Sequence, residues 1–196
     1  MKHENTDKLS VGFAFCGSFC TVKDATEALK SLIQYYRVTP VFSEAIQHTD
    51  TRFGKAEAIM QEIESLCGRS AIKSIREAEQ IGPQKLFDLL VIAPCTGNTL
   101  AKLSLGIIDA TVPMAAKAHL RNGRPLLIAP ASNDALSVGL RHIGALAMRK
   151  NIFFVPFGQD DPFTKPTSLI ADFSKIPEAV LSALENKQLQ PMLLRG

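Results

Sequence analysis

Apolar residues recur along the chain in short runs, separated by stretches with helical spacing. Residues 9–16, LSVGFAFC, form a mostly apolar run of the kind a buried parallel strand gives. GSFCT follows, and DATEALKSLIQYY then carries its apolar side chains at helical spacing. VTPVF at 38–42 predicts a second strand, at a sheet edge or strand start, because Pro40 has no N–H to give to a ladder. SEAIQHTDTRFG reads as a polar connector. KAEAIMQEIESLCG reads as an amphipathic helix, with Ile59, Ile63 and Leu66 on one face and a glycine stop. RSAIKSIREAEQIGPQKL has no clear period, and a short strand about Ile72 to Ile75 followed by a loop is expected there.

LFDLLVIAP is the clearest strand of the chain. TGNTLAKLSLG starts the next helix, and PMAAKAHLRNG is another, closed by Asn-Gly. RPLLIAP predicts a strand, DALSVGLRHIGALAMRK a helix and NIFFVP a last strand. FGQDDPFTKPTS reads as a loop, and SLIADFSKIPEAVLSALEN as a helix that Pro177 kinks or divides; QLQPMLLRG receives no assignment. Strand and helix alternate about five times. That order implies an α/β fold of the doubly wound kind, Rossmann-like or flavodoxin-like: one parallel sheet with helices on both faces. Neither an internal repeat nor a low-complexity linker interrupts it. The 196 residues suit a single domain, with a core of about 9–160 and a C-terminal loop and helix over 161–196.

In such sheets ligands bind beyond the carboxyl ends of the strands. The turns there are CGSFCT, SEAIQHT, PCTGNT and PASND, and each offers Ser, Thr, Asn or Gly at the entry to a helix. Helix caps favour the same residues. Four such turns in one sheet weigh toward a ligand, and Gly17 and Gly97 add a close backbone approach that capping does not require. A helix N-terminus presents unpaired N–H groups and the positive end of a dipole, to which hydroxyls can add, so a phosphate suits this corner. The four turns contain no Lys or Arg, which points to neutral donors. The chain has neither G-x-G-x-x-G nor G-x-x-x-x-G-K, so a mononucleotide with one phosphate fits better than a dinucleotide or ATP.

Composition narrows the partners. The content is 46% hydrophobic and 21% charged, and the net charge of +3 is scattered, so nucleic acid is not an expected partner. No apolar run approaches the roughly 18 residues that cross a bilayer. MKHENTDKLS lacks the apolar core of a signal peptide, and a cytoplasmic location is expected. Of the four cysteines, Cys16 and Cys20 form C-x3-C, but no second pair completes a metal site. Small buried or half-buried thiols are expected, and no metal.

Assembled, these residues resemble the flavoprotein superfamily that contains phosphopantothenoylcysteine decarboxylases, lantibiotic cysteine decarboxylases and flavin prenyltransferases. Its pattern A-P-x-T/S-x-N-T-L/I-x-K-L/I-x-x-G-I/L-x-D is similar to APCTGNTLAKLSLGIID at 93–109, and its P-A-M-N to Pro130, Ala131, Ser132 and Asn133. The correspondence covers roughly residues 9–160. The run PCTGNTLAKLSLGIIDATVPMAAKAHLRNGRPLLIAPASNDALS, and later VPFGQDDPFTKPTSL, resemble one branch almost throughout. Members of that branch work with a separate, dehydrogenase-like A component to oxidise dihydrodipicolinate to dipicolinate, pyridine-2,6-dicarboxylate, in the mother cell of a sporulating bacterium.

The resemblance implies FMN as cofactor, bound at Gly17, with its phosphate held at Ser18, Ser43 and the turn of Thr96, Gly97, Asn98 and Thr99. It implies a substrate edge at Ala131, Ser132 and Asn133, NAD(P) bound only through the A component, and a homo-oligomer, trimeric or dodecameric. AVLSAL and PMLL are expected as exposed apolar packing surfaces. Three departures matter. The decarboxylases rely on a histidine before the central strand, and residues 68–88 contain none; the histidines are His3, His48, His119 and His142. The prenyltransferase arginine after the proline of the second motif is Ala131 here, and its methionine is Ser132. Both stand-alone flavin chemistries are thereby disfavoured, but they stay open as alternatives, as does a non-catalytic scaffold for the A component.

A dicarboxylate calls for cations, and Lys117, Arg121, Arg141 and Lys165 are candidates; Lys165 ranks first because its loop follows the last strand. Asp160 and Asp161 form either a base pair or an ordinary turn, and Asp109 is expected to cap or brace the helix near Val112. The general base is left unassigned.

Overall fold

The structure is a computed structural model that describes residues 8–194. The first seven residues, His3 among them, and the last two of the C-terminal tail lie outside the described residues. The parallel part of the sheet is built from β1 (Ser10–Phe15), β2 (Arg37–Phe42), β3 (Leu89–Cys95), β4 (Leu126–Ser132) and β5 (Ile152–Phe154). These run in the order β2-β1-β3-β4-β5, the flavodoxin-like arrangement. Every residue of β1 and of β3 is buried, as required of central strands covered on both faces. Pro40 lies in β2, at the edge.

The crossovers are α1 (Val22–Leu32) after β1, then α2 (Glu44–His48), α3 (Ala56–Cys67), α4 (Ile75–Glu79) and α5 (Ile81–Gln84) after β2. Helices α6 (Gly97–Leu105) and α7 (Thr111–Leu120) follow β3, and α8 (Leu140–Ala147) follows β4. Helix α1 packs with the C-terminal α9 (Ile176–Leu184), whereas α4 and α5 pack with α7.

Several expectations are corrected. The sheet is mixed rather than purely parallel: the segment read as a Pro- and Asp-rich loop is a hairpin of β6 (Phe157–Asp161) and β7 (Lys165–Ala171), and β7 pairs antiparallel with β4. Strand β5 is thus not the last. It takes the first half of β4's edge, and β7 takes the second half, at Ala131 and Ser132. The expected C-terminal helix is correspondingly shorter. Pro177 stands in the first turn of α9, where its missing N–H costs nothing, and starts the helix instead of kinking it.

The polar connector after β2 holds α2, and the unreadable stretch holds α4 and α5. There the expected strand is reduced to one bridge, Ile72 with Val41. Helix α4 is set by a capping box between Ser74 and Glu77. The long helix expected from 134 begins only at Leu140, because the carbonyl of Asp134 takes the N–H groups of Ser137 and Gly139 in turns. Half of AVLSAL is buried, with Ala179, Val180 and Ala183 in the core, and only Leu181 is well exposed.

Candidate functional site

In a sheet of this order the chain reverses direction between β1 and β3, and a crevice opens beyond their carboxyl ends. Cys16 N–H donates to the carbonyl of Pro94 at 3.2 Å, holding the two strand ends side by side. After β1 the chain turns through Gly17 and Ser18. Ser18 caps no helix with its side chain; its Oγ accepts from Thr21 Oγ1 at 3.1 Å. After β3, Thr96 caps α6, accepting from Thr99 N–H at 3.3 Å. The cap leaves the N–H groups of Gly97 and Asn98, the first two of α6, without a partner inside the helix. Ser43 caps α2 more loosely, at 3.5 Å from Ile46 N–H.

Two adjoining clefts share Gly17 and Thr96 at this crevice. The first, of about 450 Å³, is lined by Ser43, Asn98, Thr99, Glu44 and Lys102 among others. The second, of about 490 Å³, is lined by Ser18, Gly97, Ala131, Ser132 and Asn133, with Arg52 and Phe53. The turns read from the sequence therefore converge, but the four candidate cations do not join them. Lys165 lines neither cleft and pairs with Asp160 at 2.8 Å on the hairpin. The Ser168 hydroxyl lies 3.4 Å from Asp160 Oδ2 and 3.5 Å from Asn133 Oδ1 and can donate to either, so Lys165 reaches the cleft only through this chain of contacts. Lys117, Arg121 and Arg141 line neither cleft.

The glycines serve close packing between turns. A Cβ on Gly97 would fall 2.6 Å from Ser132 Oγ and 2.9 Å from Asp134 Oδ1, and one on Gly17 would fall 2.8 Å from Ala45 Cβ. The first turn of α6 is thus pressed against the turn after β4, and the turn after β1 against α2.

Charge is distributed differently from the sequence reading. No cation lies in the four turns, but Lys102 and Arg52 line the clefts. Asp109 does not cap α7. It pairs with Lys102 at 2.7 Å, and Glu44 caps α7 instead, its Oε1 accepting from both N–H and Oγ1 of Thr111 at 2.8 Å. Nothing local in the sequence marks Glu44 or Arg52 for these places. Asp161 makes a turn, accepting from the N–H groups of Phe163 and Thr164.

Cys16 and Cys95 are buried beneath the crevice; burial pushes the Cys16 thiol up to about 11 and raises Cys95 well above its ordinary value, so both stay protonated. Cys67 is half-buried, while Cys20 is exposed, against expectation. No cluster of metal-binding side chains occurs among the described residues. His119 is fully buried behind the sheet and His142 is held by Ser104, with Nδ1 2.6 Å from Oγ; neither lines a cleft. Among the described residues no helix is long and apolar enough to cross a membrane.

The donor set suits a mononucleotide. Hydroxyls, an amide and helix N–H groups converge at a glycine-permitted approach, in clefts within the range of roughly 300–1,000 Å³ typical of small-ligand sites. The fold is a flavodoxin-like α/β sheet, and the chain belongs to the Flavoprotein family, whose sequence model matches residues 1–182. Within it, the chain is similar to the B subunit of dipicolinate synthase from Bacillus subtilis (strain 168), with 42% identity over 187 residues, 95% of this chain and 94% of that protein. The crystal structure of the corresponding dipicolinate synthase B subunit from Bacillus halodurans C superposes with a TM-score of 0.88 at 38% identity, over 98% of this chain and 99% of that one. The FMN-dependent cysteine decarboxylase SpaF shares the fold at a TM-score of 0.61 and 23% identity, over 90% of this chain and 96% of that one.

Proposed function

We propose that this chain is the B component of a two-component dipicolinate synthase. It acts with the synthase's nicotinamide-binding A component in the cytoplasm of a sporulating mother cell, and FMN sits in the crevice. The observation that carries this reading is the 42% identity, spread over nearly the whole length of both chains, to a B subunit of that enzyme. A two-component enzyme also accounts for a chain without G-x-G-x-x-G, since the NAD(P) site is then on the other component.

The residues divide the work. Ser18, Ser43, Thr96 and Asn98, with the N–H groups at the start of α6, hold the phosphate, and Gly17 and Gly97 let the turns close around it. Thr99 supports them from below. Ala131, Ser132 and Asn133 form the substrate edge, with Lys165 behind it through Asp160 and Ser168. When bound, the flavin supplies two-electron redox chemistry. Dihydrodipicolinate loses a hydride and a proton on becoming aromatic, and the nicotinamide on the A component is the final hydride acceptor. The exposed apolar side chains of Leu105, Ile107, Leu140 and Met148 support a homo-oligomer.

The test is an assay of dipicolinate formation with the A component alone, this chain alone and both together. Turnover only with both supports the reading, and full turnover by the A component alone overturns it. In the combined assay Asn133→Ala lowers turnover at least tenfold while the FMN content stays unchanged.

A further inference from the structure

The cleft beside Asn133 contains a cation and an aromatic ring that nothing above accounts for. Arg52 and Phe53 sit at the tip of a loop closed by two reciprocal backbone bonds, Thr51 N–H to Gly54 O at 3.0 Å and Gly54 N–H to Thr51 O at 3.1 Å. Thr51 Oγ1 also accepts from Phe53 N–H at 3.1 Å, and Asp50 anchors the loop to α3 by accepting from Ala56 N–H at 2.9 Å. The guanidinium lies over the Phe53 ring, 4.9 Å from its centroid, and the ring is 51% exposed. The loop is therefore held in shape without a ligand, so ordering it on binding costs little.

Arg52 is the only cation among the described residues lining this cleft, and it makes no ion pair with another of them. Other charges near by are already engaged. Lys165 is paired with Asp160, and the carboxylate of Asp134, which also lines the cleft, accepts from Ser132 Oγ at 2.5 Å and packs against Gly97. A planar guanidinium matches a carboxylate through two parallel hydrogen bonds, and an aromatic ring packs on a planar heterocycle.

The geometry points to Arg52 and Phe53 as the recognition element for a planar ring carboxylate: Arg52 takes one carboxylate of the substrate, and Phe53 covers part of its ring. This rests on the dicarboxylate substrate of the proposed function, and it assigns a specificity-determining pair to the loop between α2 and α3.

The probe is pyridine-2,6-dicarboxylate, titrated by calorimetry into the full chain saturated with FMN, with pyridine-2-carboxylate as comparison. FMN affinity is measured separately for each variant by fluorescence quenching. Wild type binds the dicarboxylate more tightly than the monocarboxylate. Arg52→Ala weakens the dicarboxylate by roughly ten- to a hundredfold, Arg52→Lys falls between, and Phe53→Leu weakens it roughly two- to tenfold, all with FMN affinity within about twofold of wild type. Wild-type affinity in Arg52→Ala overturns the assignment, as does absence of dicarboxylate binding by wild type. Loss of FMN affinity in Arg52→Ala also overturns it, by making Arg52 a flavin ligand. If wild type binds no FMN, the flavin part of the proposed function fails, and the same titration without FMN still decides on Arg52.

Discussion

Thr99 Oγ1 donates a hydrogen bond to Cys16 Sγ at 3.4 Å, joining the first turn of α6 to the end of β1 across the crevice. Thr99 Oγ1 also lies 3.1 Å from Thr96 Oγ1, so one hydroxyl braces both the cap of α6 and the strand end beside Gly17. Thr99→Val keeps the shape and removes these contacts. The expected loss is about 1 kcal/mol in urea unfolding, with a weaker FMN affinity because the crevice is no longer held closed.

Ser43 separates capping from ligand binding. Glycine is nearly as good a cap as serine, so Ser43→Gly costs only a few tenths of a kcal/mol as a cap. If the hydroxyl also meets a phosphate, FMN affinity falls about tenfold while the unfolding midpoint barely moves. Fluorescence titration beside denaturant unfolding reads both.

Gly97→Ala places a methyl group 2.6 Å from Ser132 Oγ and 2.9 Å from Asp134 Oδ1. Overpacking of this kind costs about 1–3 kcal/mol, and the turn after β4 must move away from α6. Lower thermal stability together with weaker FMN binding is expected, because the same clash shifts the first turn of α6, whose N–H groups are assigned to the phosphate.

His119 gives the fold a pH dependence unrelated to the site. Its Nε2 bonds to the carbonyl of Pro125 at 2.8 Å, while its buried Nδ1 has no partner, so a second proton would have no acceptor. Burial lowers its pKa from 6.5 to about 4. The unfolded chain binds this proton below about pH 6.5 and the folded chain only near pH 4, so stability falls as the pH drops through that window, by about 3 kcal/mol in all. Unfolding free energies at pH 7 and pH 4.5 check this, and His119→Gln is expected to flatten the slope whatever its stability at pH 7.

The central strands were legible because β1, β3 and β4 are almost wholly buried and read as mostly apolar runs. The β6–β7 hairpin was not, since Gly158, Gln159, Asp160, Lys165, Pro166 and Thr167 face solvent or lie at its edge and resemble a loop in composition. Helices α2 and α4 are five residues long and set by caps rather than by a period; the Ser74 to Glu77 spacing carried that signal at 74–77. At the crevice, the Gly, Ser and Thr turns were visible because cap and phosphate chemistry favour the same residues. Arg52 and Glu44 were not, because their places depend on how the loop and helix after β2 fold back over the strand ends.

The flavin site is tested most directly by titrating the purified chain with FMN and recording its visible spectrum, beside a variant carrying Ser18→Ala, Ser43→Gly and Thr96→Ala. Shifted flavin bands that saturate at one FMN per chain, and are lost in the folded triple variant, are the predicted result. An unshifted spectrum, or a shift the triple variant keeps in full, would contradict a flavin phosphate at the ends of β1, β2 and β3.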